Sequence, residues 1–448
     1  MRRTTRIFCA SSPRGAATLA AALDAGLFEP ADRRLLLVAN DAVNPETTPA
    51  VDTVPGFSRI GERFDEVLSW NETIAPFHPG GWSPRADDVP LWERYVRRLW
   101  DLADDEVRLV VESVHTNPSL ALCQLFPGAP VDVYSDGLMT YGPTPDKVPP
   151  LIGTRIDRLL YTDLVPGLAP LLLTEYGVPP QRIPSEAVAK ALGELAEDDG
   201  EPTAPPGEPP ALLFGQCLAA LDVLTAAEET ELHVGMVRGA AGLGHRHVVF
   251  KPHPAAHAHR WPALEAEASR LGVCLTVLDP GVPDEVAVQW LRPALAVGCV
   301  PTGLLTAATL YRVPAARVGT GTVLARLTPY ENALRVPVTV VDALLPDVAD
   351  RSAVTGGPVT PPDERVAELG ALLKAVAFAM RPRVVPGLRP AAEEYLAHRL
   401  DSHTWRYFKR RRLTALGLPG GVPTRLAFLP RNPAVRRVAR RARALARR

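Results

Sequence analysis

No apolar run in this 448-residue chain approaches the ~20 residues that a membrane-spanning helix needs. The opening MRRTTRIFCASSPRG is basic, but its apolar stretch is only Ile7–Ala10, too short for the core of a secretory leader. A cytoplasmic location is therefore expected. The five cysteines, Cys9, Cys123, Cys217, Cys274 and Cys299, stand singly. Without a CxxC pair or Cys/His ligand spacing they give neither a disulfide framework nor a zinc site, and most are expected to be small buried residues. The first strand-to-helix loop has one glycine, Gly15, where a dinucleotide fingerprint has three, so no NAD site is read. Acids are missing from the end of the chain. Lys409–Arg448 holds thirteen Lys or Arg and no Asp or Glu, so the net charge of −1 conceals an acidic body of about −14. An acidic body without a nucleic-acid motif argues against a nucleic-acid partner.

What the chain does contain is a steady alternation of strands and helices. Hydrophobic residues at 46% and charged residues at 22% fit a folded globular chain and exclude wholesale disorder. The length allows two or three domains of roughly 100–200 residues each. Thr4–Ala10 reads as a buried strand, followed by a small-residue loop and the apolar helix Ala16–Leu23. Strands are expected at Arg34–Ala39, Val107–Glu112, from Val131 to the Ser135-Asp136-Gly137 turn, and at Arg158–Thr162. Helices are expected at Leu91–Leu102, with Trp92, Tyr95 and Trp100 toward the core, and at Ser119–Leu125. This succession predicts a parallel sheet covered on both faces. Gly193–Pro210, acidic, proline-rich and aperiodic, reads as a linker. A second unit follows, with strands at Ala211–Phe214, Arg246–Phe250, Cys274–Leu278, Ala294–Val297, Ala316–Gly319 and Pro337–Val341. Its helices run through Glu228 and Met236, over Asp284–Leu291, and from Leu304 to Leu310. Beyond Val359 the pattern is helical, at Asp363–Met380 and Arg389–Arg399. The expected architecture is α/β: two Rossmann-like domains, 1–192 and 211–345, facing a cleft across the 193–210 linker, then a C-terminal helical extension (346–408) and a basic tail (409–448).

Three stretches carry chemistry. In VDVYSDGLMTYG, residues 131–142, a strand empties into a tight turn and leaves Asp136 at its carboxyl end, where ligands bind in open α/β sheets. A general base belongs there; the plainer reading is an Asp-Gly turn. Gly137 there allows a positive φ or the close approach of a substrate. Ser11 and His115 end two other strands of the same unit and would line the same edge, His115 either touching substrate or bonding within its loop. In Lys251-Pro252-His253-Pro254, two prolines stiffen the backbone around one histidine. Such a His253 is presented for donation to a phosphate, or else caps a neighbouring helix. Pro301-Thr302-Gly303 with Thr306 joins a strand end to a helix start, where free N–H groups and hydroxyls favour a phosphate; an ordinary cap by Thr302 is the alternative. Gln216, after Gly215, offers an amide to a nucleobase or a sugar carboxylate, or is a turn residue.

Taken in order, YSDGLMTYGP, GQ-x-L-x-AL, KPHP and TGL-x-TA resemble the bacterial α-2,8-polysialyltransferase family, as do RIFCASSPRGAATLAAALDAG and LLLVAN at the start. The resemblance covers most of residues 4–320 and fades in the tail. It implies a GT-B fold and an inverting, metal-independent glycosyltransferase of EC class 2.4 that uses a CMP-activated sialic acid or related nonulosonic acid. No metal site is expected, and the absence of a DxD motif agrees with that. In such enzymes an acidic pair precedes a glycine, and the second acid is the base. That position is Asp136 here, and the first is Ser135, a departure from the pattern that removes a charge. His253 falls on the phosphate-contacting histidine, with Lys251 and Pro254 beside it. Thr302, Gly303 and Thr306 fall on the Ser/Thr motif, and Gln216 stands among the donor-binding residues; Ser11, His115, Ser135 and Gly137 would lie on the acceptor side. The partners implied are the CMP-sugar and a glycan acceptor for a cell-surface polysaccharide. The Lys409–Arg448 tail, with Val435, Val438, Ala442 and Leu445 near one helical face, adds an anionic membrane surface. Two alternatives remain open: a transferase using CMP-Kdn, CMP-Kdo or a UDP- or GDP-sugar, and a non-catalytic sugar-nucleotide or glycan-binding scaffold.

Overall fold

The structure, a computed structural model, describes residues 2–196, 208–256, 261–356 and 361–422. Most of the expected linker and the tail beyond Val422 lie outside the described residues.

The first lobe is a seven-stranded sheet: β1 (Thr4–Ala10), β2 (Arg33–Val38), β3 (Glu66–Ser69), β4 (Glu106–Val111), β5 (Val131–Ser135), β6 (Ile156–Thr162) and β7 (Pro180–Ile183). The order is β3-β2-β1-β4-β5-β6-β7, and every pair is parallel. Alternate residues feed opposite faces. Ile7 and Cys9 enter one apolar cluster while Phe8 and Ala10 enter the other, which is why Ile7–Ala10 reads as an unbroken apolar run. The strand order turns between β1 and β4, opening a crevice at their carboxyl ends. Edge strands β3 and β7 are short and largely half-buried or exposed, and sequence reading missed both.

The second lobe repeats the plan with β8 (Ala211–Phe214), β9 (His247–Lys251), β10 (Cys274–Val277), β11 (Leu295–Gly298) and β12 (Ala315–Arg317), again all parallel, in the order β10-β9-β8-β11-β12. Pro337–Val341, expected as a strand, lies inside the helix Arg335–Leu344, and the expected strand Ala316–Gly319 is the three-residue β12. Pro337 is the helix's third residue, where its missing N–H would have had no partner in the helix. Residues 335–342 are all buried, and the stretch Pro337–Val341 is apolar except for Thr339 and rich in β-branched residues, so locally it looks like a buried strand. Helices Asp363–Met380 and Arg389–His398 form the C-terminal extension and pack into the second lobe's core through Leu369, Leu372, Val376 and Leu396.

The lobes meet on a packed seam. Leu138, Tyr141, Leu164 and Val165 of the first lobe belong to the core cluster of the second. Gly142 allows this approach, since a Cβ there would come within 2.9 Å of the Val336 side chain. Among the expected core aromatics Trp100 is buried and Trp92 half-buried, but Tyr95 is 47% exposed. Cys9, Cys123 and Cys299 are buried and Cys274 is exposed. Among the described residues no helix is long and apolar enough to cross a membrane.

Candidate active site

The ends of β1, β4 and β5 converge on a cavity of ≈ 450 Å³. Ser11, Glu112, His115, Ser135, Asp136 and Gly137 line it from the first lobe, and Val300 and Thr302 close it from the second. All four acceptor-side residues expected from sequence therefore share one cavity with Asp136. Ser11 Oγ donates to Glu112 Oε2 at 2.6 Å. Ser135 is buried and its hydroxyl pairs with Thr140 Oγ1 at 2.6 Å. His115 is half-buried, with Nδ1 3.0 Å from Ser113 Oγ, and burial holds its imidazole below the ordinary value. Gly137 does not adopt a positive φ. It is extended, at φ −128°, and Thr302 approaches it from the second lobe at ordinary contact distance, its Oγ1 3.4 Å from where a Cβ would stand.

An arginine spans the seam beside this cavity. Ser12 caps the helix Pro13–Asp24 through Gly15 N at 3.0 Å, and this fixes Arg14 in the first turn. Arg14 Nε donates to the Asp136 carbonyl at 3.0 Å and lies 3.8 Å from the Asp136 carboxylate. Its Nη1 reaches across to Glu285 and, at 3.0 Å, to Thr306 Oγ1. Burial raises the Asp136 pKa, the Arg14 charge opposes the rise, and Glu285 adds to it.

The donor-side residues divide. Thr302 opens into the cavity from the first turn of the helix Thr302–Thr309, whose N-cap is Pro301. Thr306 is buried; besides the bond from Arg14, its hydroxyl donates to Thr302 O at 3.1 Å. Gly303 packs on the Asp284 side chain, which a Cβ would meet at 2.5 Å. Lys251 is fully buried, with Nζ donating to Pro252 O at 2.6 Å and Pro280 O at 3.2 Å and lying 3.5 Å from Asp284. Gln216 turns its amide onto its own strand end, donating to Phe214 O and Gly215 O, while its N–H is accepted by His233 Nε2 at 2.9 Å. His253 and Pro254 are exposed and do not line the Asp136 cavity. His253 Nδ1 accepts from Ala255 N at 3.1 Å, which leaves the ring proton on Nε2.

Sequence reading missed Glu112 and the Arg14–Glu285 pair. The signal for Glu112 was the one used for Asp136, an acid at the end of an apolar strand. Burial, reinforced by the Asp136 charge and opposed by the Ser11 hydrogen bond, pushes the Glu112 carboxyl up to about 7. Among the described residues no group of three or more His, Cys, Asp or Glu is placed to hold a metal.

Two Rossmann-like lobes whose strand ends face one cavity define a two-lobed α/β protein, and comparison with known proteins gives its class. The alpha-2,8-polysialyltransferase family model matches residues 6–320, and the chain belongs to that family of glycosyltransferases. No curated protein sequence matches. Among solved structures, the GT-B domain of a sialyltransferase from Photobacterium damselae is similar at 13% identity, covering 75% of this chain and 96% of that one with a TM-score of 0.40. A protein from Listeria monocytogenes described as a UDP-N-acetylglucosamine 2-epimerase is also 13% identical, covering 84% and 96% with a TM-score of 0.41. A UDP-glucosyltransferase from Polygonum tinctorium is 10% identical, covering 90% and 97% with a TM-score of 0.42.

Proposed function

We propose that this glycosyltransferase moves sialic acid, or a related nonulosonic acid, from a CMP-activated donor to a glycan hydroxyl, with inversion and without a metal. One observation carries the reading: Asp136 stands in a cavity that Thr302 closes from the opposite lobe, at the start of a helix. A carboxylate on one side and a helix start on the other suit a sugar that gains an acceptor oxygen on one face and loses a phosphate from the other.

In this reading the acceptor hydroxyl enters beside Ser11 and His115 and gives its proton to Asp136 as its oxygen bonds to the anomeric carbon. The transition state is oxocarbenium-like. Charge growing on the departing CMP phosphate meets the Thr302 hydroxyl and the N–H groups of that helix start. His253 contributes Nε2–H from the end of β9. The donor spans from that loop to the Asp136 cavity, so its binding joins groups that the free protein holds apart. Lys251 and Gln216 act by shaping this side of the cleft, because their polar ends are already bonded within it.

The test has two arms. CMP and CMP-sialic acid should raise the melting temperature more than UDP or GDP, and CMP release from CMP-sialic acid should persist in EDTA. Asp136→Asn should lower turnover by about 10²–10⁴-fold, the usual weight of a general base. Near-normal transfer by that variant would remove Asp136 from the role. Nucleotide binding without turnover in the unaltered protein would favour a scaffold.

A further inference from the structure

The cavity contains a second carboxylate. β4 and β5 are neighbours in register, Leu109 with Val131 and Val111 with Val133. One step further sets Glu112 beside Tyr134, and Asp136 has the same alternation, so both acids fall on the sheet face that carries the helix Pro13–Asp24. Both line the same cavity. Asp136 has a cation, Arg14, 3.8 Å away, whereas Glu112 is held by the hydroxyl of Ser11. Ser11 thus orients Glu112 without neutralising it.

We propose that Glu112 is the second carboxylate of the reacting centre and that it and Asp136 together receive the proton of the attacking hydroxyl. This rests on the transferase reading above. In the step, the acceptor oxygen bonds to the anomeric carbon and its proton passes to the carboxylate pair. The bond from that carbon to the phosphate oxygen breaks with its electrons on the departing CMP. Two acids in one buried site do not both ionise freely, so the pair keeps a proton below about pH 7 and is free to take one above it. The groups around Glu112 support this: Asp136 after β5, Tyr134 from β5, Asp41 after β2 and Cys9 from β1 are not cations, and His115, which lines the same cavity after β4, is held below its ordinary value by burial and so favours its neutral form. The raised pKa of Glu112, about 7, is the expected consequence.

The experiment uses the full chain and CMP release from CMP-sialic acid between pH 5 and 9. The unaltered enzyme should gain activity as pH rises through about 7. Glu112→Gln keeps the shape of the side chain and a bond from Ser11. It should lower kcat on the order of 10–10²-fold, below the full weight of a general base because Asp136 remains. It should also erase the limb near pH 7 and leave the donor KM unchanged, and Glu112→Asp should restore part of both. Glu112→Gln with wild-type kcat and an unchanged limb overturns the proposal. A second readout needs no turnover. With carboxyl-labelled glutamate, one NMR resonance should titrate near 7, vanish in Glu112→Gln and move to lower pH in Asp136→Asn; absence of that resonance also overturns it. If the unaltered protein releases no CMP from any CMP-sugar, the transferase reading fails, and the NMR titration still decides whether the two acids form a pair.

Discussion

Replacing Arg14 with alanine tests whether the seam beside the cavity is an electrostatic joint. The Arg14 side chain is 13% exposed, Glu285 6% and Asp136 15%, so removing the cation leaves two carboxylates in a poorly hydrated place. The Thr306 hydroxyl and the Asp136 carbonyl each lose a donor at 3.0 Å. Breaking a buried pair from one side costs about 3–5 kcal/mol, because the stranded charge stays buried, whereas an exposed pair is worth ~0–1 kcal/mol. Arg14→Ala should therefore lower unfolding free energy in urea by about 3–5 kcal/mol. Arg14→Met combined with Glu285→Leu, which removes both charges and keeps volume, should recover most of that loss. The same change has a kinetic signature. Arg14 lowers the Asp136 pKa, so without it the carboxylate needs a higher pH to ionise and the acidic limb of donor turnover moves upward. A loss below 1 kcal/mol together with an unmoved limb would show that water screens this pair as at any surface, and would refute the reasoning.

Two further expectations follow from buried histidine and from charge. His233 is 1% exposed, and burial lowers its pKa from 6.5 to about 4, so the fold holds it neutral. The unfolded chain binds that proton first. The stabilisation is complete above pH 6.5 and disappears as pH falls through 4, about 3 kcal/mol in all at 1.36 kcal/mol per unit. His233→Gln, which keeps an acceptor for Gln216 N, should flatten this part of the pH–stability curve in urea unfolding between pH 7 and 4.5, and an unchanged slope would count against it. We also propose that the basic tail docks on anionic lipid. At about 1 kcal/mol per arginine near the surface, changing Arg436, Arg437, Arg440, Arg441 and Arg443 to Gln should weaken co-sedimentation with phosphatidylserine vesicles more than 100-fold, and retention of binding would exclude the tail.

How far the sequence could be read follows from burial. Interior parallel strands such as β8 and the Ile7–Ala10 half of β1 are apolar on both faces and stand out as short unbroken runs, while β5 alternates Val131 and Val133 with polar or aromatic residues and ends in a turn signal. Edge strands have no such constraint: Pro180–Ile183 buries only Ile183, and no pattern was there to find. Pro337–Val341 failed for the opposite reason, since a helix buried all round has the same β-branched, apolar run as a buried strand. The acids behave likewise. Asp136 could be found because a turn signal follows it, whereas Glu112 was read only as the last residue of a strand. Glu285 sits in the first turn of its helix, where an acid already has a local reason to be. Its partner Arg14 lies 271 residues away, and no local rule reports a pairing over that distance.

The strand order makes Glu112 and Asp136 neighbours, and neither local stretch contains that order. β4 and β5 are consecutive in both the chain and the sheet and lie just beyond the reversal at β1, where carboxyl ends of adjacent strands open into one crevice. An acid at either end alone would have water and a turn to satisfy it. Two at adjacent ends on one face share a limited volume, the Asp136 charge raises the proton affinity of Glu112, and a single arginine from the β1 side opposes the rise at Asp136. A serine at position 135 therefore does not leave Asp136 as a lone acid. The second carboxylate comes from just past the end of the neighbouring strand, and it shares the Asp136 cavity through the sheet and not through an adjacent peptide bond.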